Sequence, residues 1–374
     1  MKQKSIGGFT FIELLVVVTL SAVVMTTGFL YLGGYRTEQN LKLTASEMFP
    51  NLKNTQRLSM SQQDGKKWGM HFSNTTSSQS YSVFSGASYA TSGVSQIYFM
   101  RRNVSFSNPW TSSTIDVIFN AVTGYPSQGQ VISLVTGRND GFVNDITMNT
   151  LGMITSKFDT GLVGYWHLDE NTSSTAYDAS GRGNSGILTN SPTWQTGANC
   201  KTGSCLNFNG TNNYIAISDA TALRPAALTI TAWVKTSATT QTGCIVAKQL
   251  STGTNNSYAL YADAGKMTIC VGPSGGSCAG SVDPNDLPSN TWTHFAGVFN
   301  ESTTTLYRNA VQIDTDAQAI TVGYDANPIH IGADSDDAVS TPETCWFNGN
   351  IDETRVYNRA LSATEIADQY NALR

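Results

Sequence analysis

An apolar run from Phe9 to Leu32 follows a short basic leader, Met1 to Gly8, and is interrupted by one acid, Glu13. As a helix, a stretch of that length spans about 36 Å at about 1.5 Å per residue, against about 30 Å for the hydrocarbon core of a bilayer. The pattern predicts a membrane helix. Lys2 and Lys4 hold its start in the cytoplasm, and everything beyond Leu32 lies on the far side. A secretory signal would place its small-residue processing site after the apolar region. Here the processing site, Gly7-Gly8, comes before Phe9, so cleavage removes the leader and leaves the apolar helix at the new N-terminus. A carboxylate inside that helix costs about 3 kcal/mol in lipid unless it is paired, so Glu13 demands a partner.

The string Lys4-Ser5-Ile6-Gly7-Gly8-Phe9-Thr10-Phe11-Ile12-Glu13-Leu14-Leu15 resembles the class III signal of type IV pilins and type II secretion pseudopilins. The resemblance implies that a prepilin peptidase cuts between Gly8 and Phe9 and methylates the Phe9 amine. It also implies that Glu13 pairs with the free terminal amine of a neighbouring pilin or pseudopilin subunit, which is the charge partner that burial in lipid calls for. The precursor is then a single-pass protein of a bacterial inner membrane, with its outer part assembled into a surface filament or a periplasmic pseudopilus.

With 374 residues, 40% of them hydrophobic and only 13% charged, the chain has the length for two cores beyond the membrane helix. A net charge of -5 and a Ser/Thr/Asn/Gly-rich texture leave no basic stripe, so nucleic acid is not an expected partner. The six cysteines, Cys200, Cys205, Cys244, Cys270, Cys278 and Cys345, all fall late in the chain. An even number in an exported domain favours disulfides. Six cysteines allow fifteen pairings; short loops favour Cys200 with Cys205 and Cys270 with Cys278, leaving Cys244 with Cys345. Zinc is the alternative, without a Cys-x-x-Cys pair or His at ligand spacing to support it.

The organisation expected is a leader (1–8), a membrane and assembly helix (9–35), a globular α+β stem domain (36–158) and an all-β domain (161–374). From Tyr35 to about Asp64, Leu41, Leu43, Ala45, Met48, Phe49, Leu52 and Leu58 continue the long helix, with a kink near Pro50 and a stop at Asp64-Gly65. Short β-rich runs follow, closing in a hairpin around Leu151-Gly152. A long N-terminal helix on a small antiparallel sheet is similar in layout to the minor pseudopilins of the H type. Beyond Thr160, many short alternating strands predict a β-sandwich, and Ser362 with Glu365 predicts a capped terminal helix.

Within the sandwich region, Leu162-Val163-Gly164-Tyr165-Trp166-His167-Leu168-Asp169-Glu170, Asp178-Ala179-Ser180-Gly181-Arg182-Gly183-Asn184 and Leu206-Asn207-Phe208-Asn209-Gly210 appear in order. Leu228 to Val234, Trp292 to Val298 and Phe347 to Glu353 follow, leading into Tyr357 to Ser362. This series resembles laminin-G-like domains of the concanavalin A superfamily and implies a two-sheet jelly roll that binds sugars or protein surfaces. Ala310, where the family usually carries Gly in an Asn-Gly turn, suggests a slightly different turn there.

Many members of that family hold Ca²⁺, which takes six to eight oxygens at about 2.3–2.6 Å. Asp178 and Asn184 in the Gly-rich loop are the candidate ligands, with Asp352 and Asp169 as further ones. The competing reading has Asp178 and Asn184 capping turns through Asx bonds. The Asp334-Ser335-Asp336-Asp337 run lacks the Gly and distal Glu of an EF-hand loop and reads as a solvated loop. Trp166, Trp233 and Trp292 read as core, while Trp194, Tyr324 and Trp346 fall near loops where they could stack on a sugar.

Catalysis has little to stand on. Retaining glycosidases need two carboxyl groups about 5–5.5 Å apart, and alternate residues on a strand would supply them. Asp352-Glu353 and Asp169-Glu170 are instead adjacent and should point to opposite faces. The four histidines are dispersed, and no nucleophile elbow or His-Glu-x-x-His motif is present. The expected function is therefore a minor pilin or pseudopilin that displays a lectin-like head for glycan or protein recognition in adhesion. A structural tip or priming subunit without a ligand is the alternative, and a concanavalin A-like glycosidase stands behind both.

Overall fold

The computed structural model describes residues 11–75, 79–91, 93–110, 112–136, 142–250, 256–334 and 345–374. Gly8, Phe9 and the leader lie outside them, as do residues 335–337 of the acidic run and the side chains of Glu13 and of residues 20–35. Among the described residues no helix is long and apolar enough to cross a membrane. Of the expected span from Phe9 to Leu32, Phe9, Thr10 and most of the side chains lie outside that set.

Helix α1 runs from Phe11 to Met60, and Pro50 lies inside it without ending it. Leu41, Ala45, Met48 and Leu52 recur at helical spacing and are buried, whereas Leu43, off that stripe, is exposed. The stripe packs on Met70, Phe72, Phe106, Ile132, Leu134, Ile146 and Met148. The helix stops where Gln62, Asp64 and Gly65 all take positive φ.

The single small sheet expected after this helix is corrected to two sheets of four strands each. The first orders Gly93–Phe99, Gln79–Ser85, Trp68–Asn74 and Ser113–Phe119; the second orders Val104–Asn108, Gln130–Thr136, Val143–Met148 and Ile154–Asp159. Met148 pairs with Ile154 across the expected Leu151-Gly152 hairpin.

From Leu162 onward two antiparallel sheets form a β-sandwich. One orders Thr175–Ala176, Gly186–Thr189, Tyr214–Ile217, Ile329–Ile331, Gly243–Gln249, Asn256–Asp263, Lys266–Val271 and Val282–Asp286. The other orders Thr193–Thr196, Ser204–Asn209, Asn348–Tyr357, Leu228–Lys235, Thr293–Phe299, Thr303–Arg308 and Val311–Ala317, with Leu162–Trp166 also paired to Asn348–Tyr357. Trp166, Phe208, Ile230, Tyr258, Phe295 and Ile351 meet in the core between them. Helix α2, Ala363–Leu373, starts at a complete capping box, Ser362 with Glu365.

The disulfides are Cys200–Cys205, Cys270–Cys278 and Cys244–Cys345, the last closing a separation of 101 residues. The turn at Asn309-Ala310 differs from expectation in an informative way. Both residues take positive φ, 50° and 66°, so the two-residue type I′ geometry is kept with Ala in a conformation that favours Gly.

Candidate functional site

The functional geometry follows from the strand Asn348–Tyr357, which lies in the middle of its sheet. Its side chains alternate: Ile351 enters the sandwich core, while Asn348, Asn350 and Asp352 face outward. Asn350 lies opposite Asn207 on one side and Lys235 on the other, and Asp352 lies opposite Trp233. The two ends of this outer face have opposite fates.

The Asp352 end is sealed by the second N-terminal sheet and by α2. Val131, Trp233 and Leu373 form an apolar cluster there, with Trp292 and Tyr370 against it. Trp233 is therefore buried, and Trp292 half-buried, on the outer face rather than in the sandwich core, which corrects their expected place. A second apolar seam joins Val135 and Val143 to Leu162, Tyr165, Tyr357 and Ile366.

Around these seams runs a chain of buried polar groups. Ser133 Oγ donates to Asp145 Oδ1 at 2.5 Å and lies 2.8 Å from His167 Nε2, while His167 Nδ1 lies 2.8 Å from Glu353 Oε1. Arg355 donates to Glu353 Oε2 at 2.9 Å and lies 3.8 Å from Asp145 Oδ2. Tyr165 donates to Glu353, and Tyr357 donates to Asp159 Oδ2 at 3.1 Å. Ser133, Glu353 and the backbone around them are fully buried.

The connectivity Ser133–His167–Glu353 has the order of a catalytic relay. It does not present a nucleophile, since Ser133 sits mid-strand with 0% exposure and gives its proton to Asp145. The consequence of the whole chain of groups is mechanical: five strands from the two halves of the chain are tied through charged groups that are costly to leave unpaired.

Burial pushes Asp145 and Asp169 up to about 6 and Glu170 to about 7. For Glu353 burial is outweighed by His167 and Arg355, which hold it below the usual carboxylate range. Burial alone would lower His167, but the Glu353 charge and hydrogen bond raise it. A cleft of about 350 Å³ remains between Met153, Lys157, Asp159, Arg355, Gln369 and Leu373. Most of its polar wall belongs to these ties.

The Asn350 end stays open. Here Gln195, Asn199, Asn207, Lys235, Asn348 and Asn350 line a groove of about 370 Å³. Asn207, Asn350 and Lys235 form a row across three strands, about 10 Å long at the usual strand spacing. Asn207 Nδ2 donates to Asn350 Oδ1 at 2.6 Å, and Asn350 Nδ2 donates to Asn199 O at 3.0 Å, which fixes both carboxamides. Among the described residues the Asn348 carboxamide and the Lys235 ammonium have no hydrogen-bond or ion-pair partner; Lys235 Nζ lies 5.9 Å from the Trp292 ring centroid. Carboxamides that both donate and accept suit neighbouring hydroxyls. Among the described residues the groove lining carries no carboxylate.

The expected calcium ligands are not brought to one point. Asp178 Oδ1 accepts from the Tyr165 and Ser180 N–H groups and Oδ2 accepts from Asn184 N–H and Ser180 Oγ, all within 3.0 Å. Asn184 Nδ2 donates to Val163 O at 2.6 Å. This is the turn-capping arrangement weighed against calcium. Asp352 Oδ2 accepts from the N–H groups of Lys201 and Thr202, and Asp169 Oδ1 accepts from Ser204 N–H at 2.6 Å. Among the described residues the one group of His, Cys and acid side chains close enough to hold a metal is His167, Asp169 and Glu353, and both His167 nitrogens are already engaged.

The expectation that Asp352 and Glu353 point to opposite faces also fails. Glu353 takes φ 51°, the register slips between Thr231 and Trp233, and both carboxylates end up buried toward the junction. The loop aromatics are committed as well: Trp194 Nε1 donates to Ser173 O, Tyr324 OH donates to Pro225 O, and Trp346 leans on Tyr214. Sequence reasoning missed the groove itself. Its carboxamides are scattered over more than 150 positions, and only the strand order brings them together.

Residues 209–367 match the model of the concanavalin A-like lectin/glucanases superfamily, and residues 3–29 match the prokaryotic N-terminal methylation motif. Comparison with curated proteins found no match. Among solved structures, domain 4 of AbnA, an extracellular arabinanase from Geobacillus stearothermophilus in complex with arabinotriose, is 21% identical at TM-score 0.44, covering 57% of this chain and 98% of that one. The binding domain of Paraclostridial Mosquitocidal Protein 1 is 15% identical at TM-score 0.44, covering 57% of this chain and 52% of that one. The binding domain of Botulinum Neurotoxin DC in complex with SialylT is 11% identical at TM-score 0.43, with 57% and 52% covered. The chain thus spans about half the length of the two toxin binding domains. What the matches establish is a chain that joins a prokaryotic N-terminal methylation motif to a concanavalin A-like lectin/glucanase domain.

Proposed function

We propose that this protein is a minor subunit of a type IV pilus or type II secretion-like filament and that its sandwich is a glycan-recognising head. The methylation motif supports the first half of the reading: cleavage between Gly8 and Phe9 by a prepilin peptidase, methylation of Phe9, and pairing of Glu13 with a neighbouring subunit in the membrane. The second half rests on one observation, the amide-lined groove left open beside the sealed junction. The tied junction would let such a head follow the orientation of its stem. Binding rather than hydrolysis is the activity proposed, because a glycosidase needs a carboxyl pair and the lining has none. The test is a glycan array with the detergent-solubilised full chain and with Asn207→Ala/Asn350→Ala. Saturable binding that the double variant loses while keeping its unfolding midpoint is expected; silence of the native chain on every glycan would overturn the reading.

A second reading, a structural tip subunit without a ligand, is favoured by the exposed edge strand Gly93–Phe99. There Val94, Ile97 and Phe99 are 43%, 50% and 71% exposed, an apolar edge suited to another subunit. In either case a head of this size would restrict the subunit to few copies or to the tip. Labelled heads spaced evenly along native filaments would contradict that.

A further inference from the structure

We infer that the groove takes an acidic saccharide, one that presents a carboxylate or sulfate to Lys235. The inference rests on the glycan reading above and narrows it. Among the described residues Lys235 is the one charged side chain in the lining; every other polar group there is a carboxamide, a hydroxyl or backbone. In a chain with net charge -5, a cleft that admits a cation and no acid selects by sign.

Lys235 shares the lack of a described acid partner with Lys53, Lys66, Lys67 and Lys201, but it alone of these lines the groove. Lys42, Lys157, Lys248 and Lys266, with Arg101, Arg224, Arg308, Arg355 and Arg359, are all paired with acids. Lys235 has no such partner among the described residues, yet it is placed: its backbone pairs with Asn350, and the half-buried Trp292 lies beneath its ammonium at 5.9 Å. The row Asn207–Asn350–Lys235 therefore reads along a ligand as two hydroxyl-binding carboxamides followed by a cation. Its length of about 10 Å suits a disaccharide whose acidic ring sits at the Lys235 end. A cation alone would attract any anion, and carboxamides alone would accept any sugar. The two in one row specify both.

The experiment titrates the detergent-solubilised full chain with three saccharide pairs: a sialylated glycan and its desialylated form, an oligogalacturonate and its methyl ester, and a sulfated disaccharide and its desulfated form. The acidic member of at least one pair is expected to bind roughly tenfold more tightly, the scale of one hydrogen bond to a charged group. The preference should shrink as salt is raised. Lys235→Gln should erase it, so that the acidic and neutral members of the pair bind alike. The pair that responds identifies the source of the anion. Equal affinity within every pair, or a preference that survives in Lys235→Gln, would overturn the acidic-ligand inference and leave the glycan reading standing. Absence of binding to all six ligands, with the native unfolding midpoint retained, would overturn both.

Discussion

Asp352 and Asn350 are two residues apart on one strand and share one face, yet they are put to opposite uses. Asp352 lies at 0% exposure under the N-terminal sheet, among Asp169, Glu353 and His167, whereas Asn350 opens to solvent beside Asn207 and Lys235. The sealed end gathers ionisable side chains, some of them, Asp352 included, pushed toward the neutral form by burial, and the open end is largely carboxamide. That inverts the usual expectation that charge belongs outside. Charges are tolerated at the sealed end because each is paired or hydrogen-bonded, and removing one partner strands the other. Carboxamides suit the open end because they offer donors and acceptors without fixing a counter-ion.

The contrast can be broken most forcefully at Glu353. Glu353→Ala leaves His167 and Arg355 facing each other without their shared acid and should cost about 3–5 kcal/mol in chemical unfolding. A cost under about 1 kcal/mol would show that the junction does not depend on the pair.

Next comes pH. Asp145 and Asp169, raised to about 6, and Glu170, raised to about 7, bind protons in the folded chain that they have lost in the unfolded one. Their contribution is greatest below the ordinary carboxylate range and is lost as pH rises through 6 to 7. The raised His167 acts in the same direction, and the lowered Glu353 matters only below its ordinary value. Each raised acid should therefore take about 1–3 kcal/mol from stability between pH 5 and pH 8, together outweighing the opposite effect, about 2 kcal/mol, of His294, which burial lowers to about 3. Unfolding midpoints across that range would check it; a rise toward pH 8 would contradict it.

A smaller effect is expected at the lid of the sealed end. Ser362→Ala removes the cap of α2, where Glu365 N–H reaches Ser362 Oγ at 3.3 Å, and should cost about 1 kcal/mol in thermal unfolding. The least effect on stability belongs to the open end: Asn350→Ala should change unfolding by about 0.5 kcal/mol or less, as is usual at the surface, while weakening glycan binding.

What could be read from the sequence was whatever is encoded locally. The apolar run with its leader, the alternating strands, the capping box at Ser362 and Glu365, and the short Cys200–Cys205 and Cys270–Cys278 loops all depend on neighbours within a few residues. The junction and the groove depend on strand order instead. Ser133 reaches His167, His167 reaches Glu353, and Asn207 reaches Asn350, across separations of 34 to 186 positions that carry no local signal. Asp178 shows the complementary case. Its Gly-rich loop looks open to a cation, but the oxygens are taken by backbone N–H groups that any tight turn must satisfy. Glu353 shows a third, because a single positive φ cancels the alternation on which the opposite-face argument rested.

The most direct measurement is hydrogen–deuterium exchange on the full chain with and without the tightest-binding glycan from the array. Protection confined to residues 195–209, 235–237 and 348–350 is expected, with the sealed junction unchanged. Protection at the edge strand Gly93–Phe99 or in the cleft beside α2, with none in the groove, would contradict recognition by the open end of the sheet.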